Sequence, residues 1–247
     1  LVHLTADPLI LLVALAFLLP WASIRSSLRR AVYRALAWQL RLRISRSTDT
    51  AVLAYVGAME RVDTYRLVQA IRDVPPDRQI TLVIDTRGGD ASAGFQVMHA
   101  LAAHDARVAV VVVDECWSAG TIAALGADAI LMAPDANLGF CDTVLHSDPS
   151  GIHTNPVHIA AKNGEAVEQV RARHTLREHA ALIAAARVAR GATLDEAELL
   201  AERMVMPDSD HWHPIFIEEA RKLGLPVEIC VHTKRWHKLV HHTGWSR

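Results

Sequence analysis

Hydrophobic and polar positions change their spacing repeatedly along the middle of the chain, and each change marks a new element. Short runs rich in Val and Ile predict buried strands, whereas apolar positions three or four residues apart predict helices. The predicted strands lie at 52–56, at 129–132 and in the runs that begin at Ile80 and Val108; the predicted helices cover 63–73, 92–104, 121–126, 165–190 and 215–223. Thr193 begins one more helix, because Glu196 three residues later completes a capping box. This alternation predicts one α/β domain with a parallel sheet.

Two of the predicted strands end in turns whose residues could take part in catalysis. Gly88 and Gly89 follow the run from Ile80, and Ser118 follows the run from Val108, just before a helix of small residues. Taken alone, each turn is ordinary, because Gly-Gly often follows a strand and Ser at a helix start is usually an N-cap. Together they fit a strand–helix–strand unit whose turns share the edge of the sheet where α/β proteins bind ligands. The pair therefore predicts a serine nucleophile beside backbone amides that form an oxyanion hole.

The stretches DTRGGDASAGFQVMHAL and WSAGTIAALGADAILMAPDANLGFCD resemble the Clp protease and crotonase superfamily. Within it, the chain is most similar to the serine dehydrogenase proteinase family, membrane relatives of signal peptide peptidase A. ADPLILLVALAFLLP and HWHPIFIEEARKLGLPVEI extend the likeness over nearly the whole chain.

The resemblance implies a layered α/β fold of repeated ββα and βαβ units behind an N-terminal transmembrane helix. It also implies Ser118 as nucleophile, a lysine as base, and an oxyanion hole at Gly88, Gly89 and Ala119, with the amides of Gly89 and Ala119 as donors. The chain departs from the family at Arg87, where proline is usual, and at Ala119, where many members have glycine.

The small number of lysines limits the candidates for the general base that would activate Ser118. The chain has four lysines among 26 basic residues, and Lys162 is the one that precedes the C-terminal segment. A buried lysine can lose its proton near neutral pH, whereas arginine stays protonated. Lys162 is thus the predicted base, although AAKNG also fits a solvated loop lysine. A histidine is the alternative; the candidates are His146, His153 and His158.

The remaining composition predicts no metal, no cofactor and no nucleic-acid partner. A formal charge of −1 and 51% hydrophobic residues indicate a globular domain with an apolar appendage. The histidine pairs lack zinc-ligand spacing; they are His174 with His179, His211 with His213, and His241 with His242. Cys116, Cys141 and Cys230 form no pattern and are expected to be thiols. Cys116 stands close to Ser118, but its position predicts a small buried hydrophobe.

The apolar appendage lies at the start of the chain. Residues 8–24 carry no charge, and seven arginines follow before the first acid at Asp49. This asymmetry predicts a membrane anchor with everything after it on the cytoplasmic side. A cleaved signal peptide and a buried core helix are the alternatives. Apolar residues then recur every fourth position from Leu28 to Ile44, which predicts an amphipathic helix against lipid headgroups or a sister subunit.

These observations divide the chain into an anchor (1–24), a basic juxtamembrane segment (25–50), a peptidase domain (51–230) and a basic, partly mobile tail (231–247). The predicted function is a single-pass serine peptidase of the cell membrane that cleaves peptides or proteins through an acyl-enzyme. The resemblance further implies a homo-oligomer. Two other functions stay open: a crotonase-like acyl-thioester enzyme using the same oxyanion hole, and a catalytically silent membrane scaffold.

Overall fold

The computed structural model of the chain describes Val32, Gln39 and residues 50–142, 166–206 and 211–244. The strands are β1 (Ala51–Val56), β2 (Ile80–Thr86), β3 (Val108–Cys116), β4 (Ala129–Met132), β5 (Asn137–Leu138) and β6 (Val227–Ile229). The helices are α1 (Arg61–Arg72), α2 (Ala91–Ala102), α3 (Ala119–Ala124), α4 (Ala166–Ala189), α5 (Leu194–Val205), α6 (Ile217–Leu223) and α7 (Thr233–Gly244). The four longer strands, the helices α1 to α6 and the capping box of Thr193 and Glu196 confirm the predicted elements.

The strands form one parallel sheet in the order β1-β2-β3-β4-β6. The short strand β5 pairs with the end of β3, beyond the last pair that β3 makes with β4. β2 lies between β1 and β3, with Ile80 opposite both Ala51 and Val108. Because β2 and β3 are parallel neighbours, their carboxyl ends meet at one edge, as the sequence predicts.

The sheet is buried on both faces, which explains why its strands read as continuous apolar runs. Leu82 and Ile84 of β2 belong to a large core that includes α1 to α6, whereas Val83 between them belongs to a second core. Successive residues of a strand point to opposite faces, so one strand serves both cores. The architecture is therefore a sheet between two helical layers.

Helix α7 forms the second layer from a segment that the sequence analysis treats as a basic tail. Trp236 and Leu239 are buried against the sheet, together with Cys230 and valines of β1, β2 and β3. Their spacing of three residues puts both side chains on one helix face. A packed helix at 233–244 was not predicted, because histidines and lysines around these two apolar residues obscured the amphipathic pattern.

Two helix starts differ from the prediction in ways that matter for the site. α3 begins at Ala119 rather than at 121, which makes the Ala119 amide a first-turn donor. α6 begins at Ile217 rather than at 215, because the N–H and C=O of Ile215 both pair with Leu138. No described helix is long and apolar enough to cross a membrane. The predicted anchor and nearly all of the juxtamembrane segment lie outside the described residues.

Candidate active site

Ser118 occupies the N-cap position of α3 but does not behave as a cap. Its backbone has φ 49° and ψ −114°, and it is the one non-glycine residue with positive φ in the described ranges. Its side chain makes no capping bond, and its hydroxyl has no hydrogen-bond partner among the described residues. Such a conformation costs about 1–3 kcal/mol, and clusters at functional sites. A half-buried, uncommitted serine hydroxyl fits a nucleophile better than a cap.

Hydrogen bonds on both sides of Ser118 hold the strained turn. The Trp117 amide donates to the Thr86 carbonyl (2.9 Å), and the Gly120 amide donates to the Trp117 carbonyl (2.8 Å). The buried Thr121 hydroxyl donates to the Cys116 carbonyl (2.6 Å), which ties the first turn of α3 to the end of β3. The register between β2 and β3 also shifts just before this point, since Ile84 and Thr86 face Val112 and Cys116. Irregular pairing of this kind commonly re-aims a side chain beside an active site.

The glycine turn after β2 packs directly against Ser118. A Cβ placed on Gly88 would lie 2.9 Å from the Ser118 Cβ and 3.3 Å from the Ala119 nitrogen, so a side chain there would displace the serine. Gly88 and Gly89 have φ 93° and 147°, which L residues rarely adopt. The turn is tied to Met59, whose amide donates to the Gly88 carbonyl (2.8 Å) and whose carbonyl accepts from the Asp90 amide (2.9 Å).

Backbone amides in the two turns differ in whether they are already bonded. The Gly88 amide donates to the Thr86 hydroxyl (3.0 Å) and is therefore committed to the turn. The amides of Gly89 and Ala119 have no acceptor among the described residues. The Ala119 amide also lies at the positive end of α3. These two amides remain the predicted oxyanion donors, while Gly88 provides the close approach to Ser118.

Comparison with known proteins decides which family this geometry belongs to. The sequence matches the family of ClpP-like SDH-type serine proteinases over residues 9–241. The chain belongs to this family of serine proteinases. The match confirms the resemblance drawn from the sequence, and with the parallel sheet it confirms the predicted Clp-type α/β fold of the domain.

The individual proteins that the chain matches share about a third of its residues over the aligned part. Two uncharacterized proteins of Methanocaldococcus jannaschii are 32% identical over 177 residues (68% of this chain, 60% of the relative) and 31% identical over 121 residues (43% and 41%). The chain thus spans 60% and 41% of the length of these curated relatives.

Solved structures show the same fold at lower identity. A serine-to-alanine variant of the 1510-N membrane-bound stomatin-specific protease aligns with a TM-score of 0.53 and 22% identity, over 74% of this chain and 82% of that chain. A lysine-to-alanine variant of that protease, in complex with a substrate peptide, aligns with a TM-score of 0.50 and 22% identity, over 74% and 76%.

Charged residues lie at the ends of β2 and β3, next to the glycine turn. Arg87, the departure from the family's usual proline, donates from Nε to a Glu115 carboxylate oxygen (2.6 Å) and is largely exposed. Burial raises the pKa of the nearby Asp85, and the negative charge of Asp114 raises it further. Arg87 therefore forms an ion pair with β3, and the glycine turn that follows it packs against Ser118 although proline is absent.

Cys116 is excluded as a rival nucleophile by its surroundings. Its side chain is fully buried at the end of β3, and burial raises the pKa of the thiol far above its ordinary value. A thiol that holds its proton this firmly is a poor nucleophile. The prediction that Cys116 is a small buried hydrophobe is confirmed. The described residues also contain no cluster of side chains that could hold a metal ion.

A buried histidine–aspartate pair was missed by the sequence analysis. His211 Nδ1 donates to Asp142 Oδ1 (2.5 Å), and both side chains are more than nine-tenths buried. The two residues are 69 positions apart, so no local spacing connects them. The aspartate ends the stretch GFCD and the histidine begins HWHPI, both of which carried the family resemblance. The occurrence of both residues in stretches that resemble the family was the one signal for this pair in the sequence.

The proposed bases lie outside the described residues. Lys162, His146, His153 and His158 all fall between 143 and 165. The structure therefore brings together Ser118, Gly88, Gly89 and Ala119, whereas the identity of the base remains a prediction from sequence.

Proposed function

We propose that the chain is a serine peptidase that cleaves peptide bonds through an acyl-enzyme. The observation that carries the proposal is the uncapped, positive-φ Ser118 beside two amides without acceptors. Ser118 Oγ attacks the substrate carbonyl carbon and passes its proton to the base. The amides of Gly89 and Ala119 bind the resulting oxyanion, the protonated base supplies the departing amine with its proton, and water then hydrolyses the ester.

Lys162 is the base in this proposal. Support comes from the lysine content of the chain and from a structural neighbour, the 1510-N protease, whose structure was solved as a lysine-to-alanine variant in complex with a substrate peptide. Only the neutral amine can accept the serine proton, so activity should rise with pH as the lysine deprotonates. Replacing His146, His153 or His158 should not shift this rise. A profile that loses its rise when one of these histidines is replaced would assign the base to that histidine.

The central experiment compares Ser118→Ala and Lys162→Met with matched controls. Each should lower peptide hydrolysis by at least about 1,000-fold, and the double variant should be no slower than the slower single variant because both residues act in one step. Ser92→Ala removes a serine hydroxyl from the neighbouring helix start, and Lys222→Met removes another lysine; both should retain activity. Unchanged hydrolysis by Ser118→Ala would contradict the nucleophile.

The same variants separate the alternatives. A crotonase-like enzyme would turn over acyl thioesters with Ser118→Ala nearly as well as with the unmodified chain, because the oxyanion hole alone supports that reaction. A scaffold would show no serine-dependent hydrolysis of either substrate. The strained backbone at Ser118 supports the peptidase, because neither alternative requires a serine hydroxyl without a hydrogen-bond partner at this turn.

We further propose that residues 8–24 anchor the peptidase in the cell membrane with the domain on the cytoplasmic side. Support comes from the uncharged run followed by seven arginines, and the juxtamembrane segment adds contact with anionic lipid. The full chain should sediment with membranes in high salt, and removal of 1–24 should release most of it. Protease protection in cells with an intact inner membrane would test the side; digestion of the Ser118 domain from outside would contradict it.

A homo-oligomer completes the proposal. Large apolar side chains stay exposed on α4 and α5, which pack against each other; they are Leu182, Val188, Leu194 and Leu199. Burial of such residues between copies would remove apolar area from water. Light scattering of the detergent-solubilised chain measures the number of subunits.

A further inference from the structure

The His211–Asp142 pair joins two segments that contact residues next to Ser118. Asp142 follows β5, whose Leu138 exchanges two backbone hydrogen bonds with Ile215 (3.0 and 2.9 Å). His211 begins the stretch that leads to Ile215. Together with the Leu138–Ile215 pairing, the pair links two segments that are far apart in sequence. We call these four residues the bracket.

Continuous contacts run from this bracket to Ser118. The His211 ring meets the Trp212 ring edge-on, with centroids 5.1 Å apart, and Trp212 lies 5.6 Å from Trp117. Trp117 immediately precedes Ser118 and also packs on Gly139, whose amide donates to the Cys116 carbonyl (3.2 Å). The two tryptophans thus join the bracket to the backbone of the serine turn.

A strained turn depends on its neighbours more than a relaxed one does. A residue with unfavourable φ and ψ keeps that conformation only where surrounding contacts over-determine it. Hydrogen bonds from β2 and α3 hold the Ser118 turn on its inner side, whereas Trp212 is the side chain that packs against Trp117 from the bracket. Trp212 is 46% exposed, and the buried His211 ring packs against it edge-on.

We propose that His211 and Asp142 are positioning residues of the peptidase, which hold Trp212 against Trp117 and thereby keep Ser118 in its reactive conformation. This inference rests on the proposed function and adds to it two residues outside the serine, the base and the oxyanion donors. The contribution of Asp142 is the acceptor oxygen that fixes the His211 ring, so its shape and hydrogen bond matter more than its charge.

The test measures the rate at which a fluorophosphonate labels Ser118 in the full chain, together with kcat and KM for a peptide. Asp142→Ala, His211→Leu and Trp212→Ala should each slow labelling and kcat by about 10- to 100-fold, because small misplacements of a reacting atom have effects of this size. KM should change little. Asp142→Asn keeps an acceptor oxygen for the His211 N–H and should label within about threefold of the unmodified chain, in contrast to the about 10⁴-fold loss expected of a catalytic triad aspartate.

Matched controls come from the same segment. His213 bonds to Glu219 (3.1 Å) as another histidine–carboxylate pair, but it is partly exposed and stacks on Phe140 instead of a tryptophan. His213→Leu and Glu219→Ala should leave labelling unchanged. Combining Asp142→Ala with Trp212→Ala should be no slower than the slower single variant, since both break the same chain of contacts.

The outcomes distinguish this inference from the function on which it rests. Labelling of the unmodified chain at Ser118, with unchanged rates in Asp142→Ala and Trp212→Ala, would overturn the positioning role alone. Equal losses in Asp142→Asn and Asp142→Ala would overturn it too, because charge rather than placement would then be required. Absence of Ser118 labelling in the unmodified chain would overturn both proposals. If the buried substitutions prevent folding, Trp212→Ala decides, because Trp212 is 46% exposed and its replacement is less disruptive.

Discussion

Helices α2 and α3 begin side by side after neighbouring parallel strands, yet their first residues do opposite things. Asp90 starts α2 from an extended backbone, and its carboxylate accepts from the Ser92 amide (2.8 Å), the Ser92 hydroxyl (2.6 Å) and Arg61 Nε (2.7 Å). Ser118 starts α3 from a positive φ and makes no such bond. A polar residue at a helix start is therefore a cap only when its backbone allows the bond.

The contrast separates stability from reactivity. The Asp90 side chain accepts a hydrogen bond from a backbone amide of its own helix, as a typical N-cap does, and so stabilises the start of that helix. The Ser118 side chain is kept out of such bonds, and its backbone stores strain that contacts elsewhere must offset. Natural proteins depart from local sequence–structure preferences at functional sites. Asp90 follows the N-cap preference and Ser118 departs from it, although both lie at the same edge of the sheet.

The largest effect should come from adding a side chain to the glycine turn that leads into α2. Gly89→Ala would place a Cβ 2.6 Å from the Met59 carbonyl oxygen at φ 147°, so the turn must move. We expect a loss of at least about 3 kcal/mol in the free energy of unfolding, from strain and overpacking together. Displacing the Gly89 amide should also lower peptide hydrolysis by at least about 100-fold. Denaturant unfolding and peptide kinetics measure the two losses.

Gly191→Ala is the control for this substitution. Gly191 has φ 90°, but nothing lies within 4 Å of a Cβ placed there. It should cost only the about 1–2 kcal/mol of a left-handed alanine and leave hydrolysis unchanged. Equal losses in the two variants would show that φ alone, rather than contact with Met59, makes Gly89 necessary.

Much of the fold could be predicted because the relevant signals are local. The long apolar runs of β2 and β3 are buried on both faces, and the capping box of Thr193 needs only residues within one turn. The two-residue β5 and three-residue β6 were not predicted, because each is a strand only through pairing with a neighbour. Their formation depends on tertiary contacts that no short window of sequence contains.

The site divides in the same way. The proximity of Ser118 to Gly88 and Gly89 could be predicted, because the two turns follow neighbouring parallel strands. The positive φ of Ser118 was not predictable, since serine rarely adopts it and nothing in WSAGT demands it. The His211–Asp142 pair stayed hidden because histidines were compared by zinc-ligand spacing, whereas its partner is a carboxylate from another segment.

A smaller effect, of opposite sign, should follow from relaxing the strained start. Ser118→Gly removes the Cβ that makes φ 49° unfavourable and should raise the free energy of unfolding by about 1 kcal/mol, after allowing for the flexibility of glycine in the unfolded chain. Ser92→Gly should instead lower it by about 1 kcal/mol, because a normal helical residue gains nothing from glycine and loses its bond to Asp90. Urea unfolding of both variants provides the comparison; destabilisation by Ser118→Gly would mean that the turn is not strained.

The smallest effect concerns the charge on the capped start. Bonds from Ser92, and then from Arg61, lower the pKa of Asp90 from its ordinary 3.8 to about 2 in the folded chain. The stabilisation is therefore present above the unfolded-state pKa and is lost as pH falls toward the folded one. Asp90→Asn keeps a capping oxygen and removes only the charge. Because the Asp90 side chain is 34% exposed and Arg61 is 74% exposed, we expect only about 0.5 kcal/mol at pH 6.

This difference should shrink between pH 4 and pH 2, where the unmodified carboxylate also becomes neutral. Urea unfolding of both chains at several pH values measures it, with Arg61→Gln as the partner variant that should remove part of the same contribution. Peptide hydrolysis at pH 6 should be nearly unchanged in both, since Asp90 serves its helix and not the reaction. A difference in stability that persisted to pH 2 would show that the charge of Asp90 is not its cause. A large loss of hydrolysis in Asp90→Asn would show that both helix starts serve the reaction.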